Sequence, residues 1–420
     1  RKPKWSMTRK RYRVNWFLVG VLMILIVMGI YVDRVIVPTI PAPFVPTATA
    51  TRSPESYMVE AESFFADGKL TQAIDYYQQA VRANPNDGAA YVAMGRVQVY
   101  AGFYKDAQAS AEAAILLNAN NSRAHAVRAW ALDFQGDYLA AEAAIKRALE
   151  LDPNSGFAHA IYTEILVDSA LSGTGPYEDL TKAAEESRVA LSLEPNSLES
   201  HRARGYILEA TANYEEAIAS YQAAIAINGN LADLHLSLGR NYRAQQVYDL
   251  AVEEFTRANA LNPADSTPDL LMSRTYASIG EFAKAAQYGE SAVKDSPTDA
   301  SLHANYGVML YHTADWAEAA VQLGLAINGG RTTEGDVIES INLTTDTRVA
   351  EYYFTYALAL ARLGRCGEAL PIANLILGRV PSDEIAVANA NEVFKICEDS
   401  LSAVPTVTLA VPTATITPTP

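Results

Sequence analysis

The chain has 420 residues, with 48 acidic against 33 basic side chains and a formal net charge of −15. An acidic surface repels phosphates, so a nucleic-acid partner is disfavoured. Neither of the two cysteines has a Cys-x-x-Cys partner, which removes the common thiol-based redox and metal motifs.

The first 34 residues hold Arg1, Lys2, Lys4, Arg9, Lys10, Arg11, Arg13 and Arg34 against Asp33, a local charge of +7 that leaves −22 for the remainder. Residues 1–13 form a basic stub. Residues 14–32 are an uncharged run of nineteen, including Leu18, Val19, Leu22, Ile24, Leu25 and Ile26. At ~1.5 Å per residue a helix of that length just spans a ~30 Å hydrocarbon core. A cleaved signal peptide fits less well, because the apolar run is too long and no small-residue cleavage site follows it. The basic stub is expected in the cytoplasm and everything after the span outside it. Residues 33–54 hold Pro38, Pro41, Pro43, Pro46 and Pro54 among threonines and alanines, the composition of a semi-rigid spacer.

Beyond the spacer, nine alanines fall on one ruler: Ala73, Ala107, Ala141, Ala183, Ala217, Ala251, Ala285, Ala319 and Ala369. Their spacing is 34 residues except at two joints, of 42 and 50, which carry insertions of 8 and 16. A second row lies seven residues later, from Ala80 to Ala326, and a break follows it at Pro85, Pro153, Pro195, Pro263, Pro297 and Pro381. Small residues let helices approach closely and proline ends the second helix, so each period predicts a helical hairpin. One hairpin cannot bury its own apolar face, and stacking into a solenoid follows. Residues 384–399 read as a final capping helix, and residues 400–420, rich in Pro and Thr, as a tail without a core of its own.

The period, the glycine at the eighth position (Gly95, Gly205, Gly239, Gly307) and the hairpin-turn glycine (Gly68, Gly102, Gly136, Gly280, Gly364) resemble the tetratricopeptide repeat. The resemblance implies an all-α, right-handed superhelical solenoid of about nine units plus the capping helix over residues 55–399, preceded by one transmembrane helix. It also implies a scaffold that binds peptides or protein domains, without catalytic activity. Ile376 stands where the ninth unit should carry its second small residue, and looser packing is expected there.

Carrying over the family's groove positions gives Tyr100, Trp130, Phe134 and Phe157 in the early units, accompanied by Arg96, Asp133, Glu164 and Asp168. The later units give Tyr206, Arg240, Arg243, Arg274 and Tyr311. The groove thus runs from aromatic and acidic to basic, with residue types enriched at binding hot spots. Packing of Trp130 and Phe134 against a neighbouring helix is the competing possibility.

Five of the six histidines (His125, His159, His201, His235, His303) share the fourth position of a first helix. Equivalent positions of stacked hairpins lie ~8–10 Å apart, too far to share a metal whose bonds are near ~2 Å. They read as inter-repeat packing residues. No GxSxG, HExxH or phosphate-loop spacing occurs, so no catalytic residue, metal or cofactor is assigned. The capping helix is expected to end beside the turn bearing Cys366, which predicts a Cys366–Cys397 disulfide in an oxidising compartment. The sequence therefore reads as a single-pass membrane protein with an extracytoplasmic scaffold, an accessory subunit of a membrane complex, and a protein partner that is a subunit of that complex or a basic protein. A structural component of the cell envelope or surface layer is the alternative.

Overall fold

A computed structural model describes residues 14–36 and 52–402. The basic stub, most of the spacer and the Pro/Thr tail lie outside the described residues. The described chain forms two separate compact units, divided between Ser53 and Pro54.

In the first unit, α1 (Trp16–Tyr31) runs into a π-helical turn over Val32–Ile36. The stretch Trp16–Val35 is the one helix among the described residues long and apolar enough to cross a membrane. None of its side chains is buried by protein, as expected for a surface that would face lipid.

The second unit is a train of helical hairpins. They are α2 (Pro54–Ala66) with α3 (Leu70–Ala83), α4 (Gly88–Tyr100) with α5 (Tyr104–Leu117), and α6 (Ser122–Asp133) with α7 (Tyr138–Leu151). There follow α8 (Gly156–Leu171) with α9 (Asp179–Leu193), α10 (Leu198–Ala210) with α11 (Tyr214–Ile227), and α12 (Ala232–Ala244) with α13 (Tyr248–Leu261). The last are α14 (Thr267–Ser278) with α15 (Phe282–Asp295), α16 (Ala300–His312) with α17 (Trp316–Asn328), and α18 (Thr347–Arg362) with α19 (Cys366–Arg379), closed by α20 (Glu384–Ser402).

Every alanine on the first ruler is fully buried, which is the packing reason for its period. At the eighth position of α12 the approach is close enough to demand glycine: a Cβ on Gly239 would lie 2.5 Å from the Phe255 ring. The first helices start on side-chain caps, among them Asp87, Asn121, Ser155, Ser197 and Asp346. The hairpin turns pass through a left-handed residue. Gly102 takes φ +78° there, whereas three turns lacking glycine force Ala212, Gln246 and Ala314 to φ of 59°, 62° and 64°.

The two insertions fold locally. The shorter one lengthens α8 and adds a turn through Gly173 before α9. The longer one begins at Gly329, which ends α17 at φ 73°, and forms a two-stranded antiparallel ribbon, β1 (Gly330–Arg331) with β2 (Val337–Ile338). Ile338 is buried, and the Tyr353 hydroxyl donates to the Ile341 carbonyl at 2.8 Å, tying the insertion to α18. Ile376 is fully buried within the C-terminal core, so the larger side chain is enclosed, not loose.

The solenoid also coils back on itself. Asn228 Nδ2 donates to the Phe65 carbonyl at 3.1 Å and Asn230 Nδ2 to the Ala66 carbonyl at 2.8 Å. The first hairpin turn therefore abuts the joint between the fifth and sixth units, and the concave wall between them is enclosed.

Candidate functional site: a concave wall in two halves

In the first half of the concave wall, charged side chains pair with one another around a cavity of about 590 Å³. Arg202 on α10 is the centre: its Nη1 lies 2.7 and 2.6 Å from the two Glu164 oxygens, and its Nε donates to Asp233 at 3.1 Å. The guanidinium sits over the Trp130 ring at 5.4 Å, a cation–π contact away from water. Trp130 Nε1 donates to Glu164 at 2.8 Å, and its ring meets Tyr100 edge-on at 5.1 Å and Phe157 at 6.1 Å. Across the coil, Arg96 Nε donates to Glu199 at 2.6 Å, and the Tyr100 hydroxyl reaches the same carboxylate at 3.1 Å. Arg240 pairs with Glu209 at 2.8 Å, and the Tyr206 hydroxyl donates to Asp168.

This arrangement corrects part of the groove expected from sequence. Trp130 and Phe157 are 0 % and 1 % exposed and belong to the core, because the tight coil turns their concave positions inward. Tyr100, Tyr206 and Arg240 are half-buried and already bonded to carboxylates of the same chain. Of the early set only Phe134 keeps an exposed face, stacked on Tyr104 at 4.8 Å.

The electrostatics follow from burial. Burial pushes the Glu164 carboxyl up to about 7 against the opposing pull of Arg202, with Asp168 adding to the rise. Asp133 beside them is pushed well above the usual carboxylate range by burial and then by Asp168 and Glu164. Burial also works against the Glu199 charge, but Arg96 outweighs it and holds that carboxyl below the ordinary range.

The second half is different in kind. Arg243 on α12, Arg274 on α14 and Arg348 in the first turn of α18 line a cleft of about 290 Å³ with Phe282, Asn305, Val308, Met309, His312, Glu351 and Tyr352. Among the described residues no carboxylate lies within 4.0 Å of any of these three guanidinium groups. Arg274 Nε is buried without a hydrogen-bond partner. Burial and the neighbouring Arg274 and Arg348 lower the Arg243 pKa, and burial with Arg348 lowers that of Arg274. Tyr311 is half-buried nearby, its ring 5.8 Å from that of His312. Sequence positions brought Arg243, Arg274 and Tyr311 to this half, but not Arg348, which sits in an extra N-terminal turn of α18 ahead of the repeating positions of the ninth unit.

The fourth-position histidines are structural fasteners. Each donates through Nε2 to the carbonyl six residues back: Ala119, Pro153, Pro195, Gly229 and Pro297, at 2.9 to 3.0 Å. Among the described residues no three His, Cys, Asp or Glu side chains are grouped to hold a metal ion. At the far end Cys366 and Cys397 are joined, with Cα atoms 5.7 Å apart, fixing α20 to the start of α19.

Comparison with known proteins agrees with this geometry. Models of the tetratricopeptide repeat match residues 64–131, 122–155, 199–231, 230–300 and 270–330, together more than half of the chain. Over 106 residues the chain is 26% identical to anaphase-promoting complex subunit 6 of Arabidopsis thaliana, covering 25% of this chain and 20% of that protein. The match thus spans about a fifth of that relative. Among solved structures, the Cut9–Hcn1 hetero-tetramer of the APC/C is similar over 77% of this chain and 59% of the matched one, at 14% identity and a TM-score of 0.59. PilF of Pseudomonas aeruginosa is similar over 48% of this chain and 89% of its own, at 21% identity and a TM-score of 0.41.

Proposed function

Since this chain belongs to the tetratricopeptide repeat proteins, we propose that it is a non-catalytic scaffold, anchored by Trp16–Val35, whose solenoid stands outside the cytoplasm and holds a protein subunit of a membrane complex. The observation that carries this reading is the contrast between the halves of the concave wall. The first pairs Arg96, Arg202 and Arg240 with carboxylates of the same chain, whereas the second brings three guanidinium groups together with no carboxylate within 4.0 Å of them among the described residues.

The topology rests on the charge of +7 over residues 1–34, which favours a cytoplasmic N-terminus, and a Cys366–Cys397 bond suits an oxidising compartment. The −22 carried beyond residue 34 attracts a basic partner at long range and speeds encounter. Two readouts test the proposal. Protease added to intact spheroplasts should digest the solenoid, and native electrophoresis of detergent-solubilised membranes should show the chain migrating with a second protein. Full protection of the solenoid overturns the topology. Retention of the chain in insoluble wall material favours a structural envelope role instead.

A further inference from the structure

We propose that the cleft between Arg243, Arg274 and Arg348 is a docking site for a carboxylate-bearing peptide segment of the protein partner. The inference rests on the scaffold reading and adds the chemistry of contact.

The other concave arginines set the standard. Arg96, Arg202 and Arg240 lie 2.6, 2.6 and 2.8 Å from Glu199, Glu164 and Glu209, so this chain neutralises concave cations when it folds over them. The three in the cleft come from three separate helices and converge without that compensation, in a chain that has 48 acids to place against 33 bases. Among the described residues Glu351 is the one carboxylate lining the cleft, and against three guanidinium groups it leaves an excess of two positive charges. Like charges brought together in a half-buried cleft repel, and a buried guanidinium N–H without an acceptor costs free energy, so the arrangement is destabilising in itself. An anion seated between the three would remove both costs, and planar guanidinium forks suit carboxylate oxygens.

The remaining wall points to a peptide over a free ion. Phe282, stacked against His312 at 4.3 Å, lies beside Val308 and Met309, giving the cleft an apolar flank that inorganic phosphate would leave unused. A cleft of about 290 Å³ takes one or two side chains, not a domain. Its charge is opposite to that of the body around it, so the two preferences act at different ranges. The acidic surface steers a basic partner over separations up to about a Debye length, about 8 Å at physiological salt, and the cleft then selects an acidic segment at contact.

The test uses the full chain in detergent and a fluorescent ten-residue peptide with three consecutive glutamates flanked by leucine and phenylalanine. The expected result is saturable binding that weakens as salt rises. It should fall about tenfold or more with Arg274→Ala, with Arg348→Ala, and with the glutamine version of the peptide, and stay unchanged with Arg147→Ala on the exposed outer surface. Equal affinity for the glutamate and glutamine peptides, no binding at millimolar peptide, or no effect of Arg274→Ala overturns the proposal. Displacement of the peptide by submillimolar phosphate assigns the cleft to a free anion and overturns the peptide reading. A second measurement guards against misfolding: Arg348→Gln should raise the melting temperature by relieving repulsion, and a fall contradicts the premise of uncompensated charge. Loss of the partner on native gels with peptide binding intact would count against the scaffold reading alone.

Discussion

Arg202→Ala is the perturbation that most sharply probes the filled half of the wall. The substitution removes the cation bonded to Glu164, a side chain 2 % exposed, together with the contact to Asp233 and the cover over Trp130. Breaking a buried pair by deleting one partner costs about 3–5 kcal/mol, because the surviving charge stays desolvated. The pH dependence follows from Glu164, whose pKa is about 7 even with Arg202 present. A carboxyl raised above its unfolded value of ~4.5 contributes stability below that value and loses it as pH rises through the folded pKa. Without Arg202 the folded pKa moves higher still, so the loss continues above pH 7 at up to ~1.4 kcal/mol per pH unit. Repeat arrays need not unfold in one step, so local opening is the proper readout. Amide exchange in α8 and α10 should accelerate on the order of a hundredfold to a thousandfold at pH 8, and less at pH 5. Adding Glu164→Gln should recover most of the loss at pH 8. A penalty below about 1 kcal/mol, or one that neither grows with pH nor responds to Glu164→Gln, would refute a buried, coupled network.

Three further outcomes are expected. Ala314→Gly should stabilise the eighth unit by about 0.5–1 kcal/mol, the left-handed penalty of ~1–2 kcal/mol less the entropy cost of glycine, and thermal melting will show whether it does. His235 loses charge stability to burial but regains more from Glu254 at 2.6 Å and the Gly229 carbonyl, so its pKa is raised; NMR titration should find it above ~6.5, with the stabilisation present below that pH and lost as pH rises through the folded value. Cys397→Ser should free α20, since the bond closes a loop of 31 residues worth roughly 3–4 kcal/mol; unchanged exchange in α20 would show the bond to be dispensable.

What the sequence made legible was whatever the period controls. Buried Ala73 to Ala369 and the turn glycines are local consequences of helix contact, and outside the two insertions they recur every 34 residues because the contact does. The coil was not legible. Arg96 with Glu199 and Asn228 with Phe65 meet across 103 and 163 residues, and no repeating position announces a meeting between units so far apart. For that reason Trp130 and Phe157, at positions that face an open groove in a wider solenoid, are core, and for Trp130 the packing alternative left open by the sequence is the one the structure takes. The histidines were placed correctly between repeats, yet the carbonyl each one binds lies in a turn whose geometry the composition does not encode. Arg348 was not legible because α18 starts a turn ahead of the repeating positions, and that added turn brings it to the cleft.

The scaffold reading turns on which surface touches a partner in the membrane. A photo-crosslinking amino acid placed at Tyr311, beside the open cleft, should be compared with one at Leu116, which is 88 % exposed on the second helix of its unit. After irradiation of intact membranes, the Tyr311 probe should yield one discrete heavier species carrying a second protein, and the Leu116 probe should not. A species from Leu116 alone, or none from either position, would contradict docking through the concave wall.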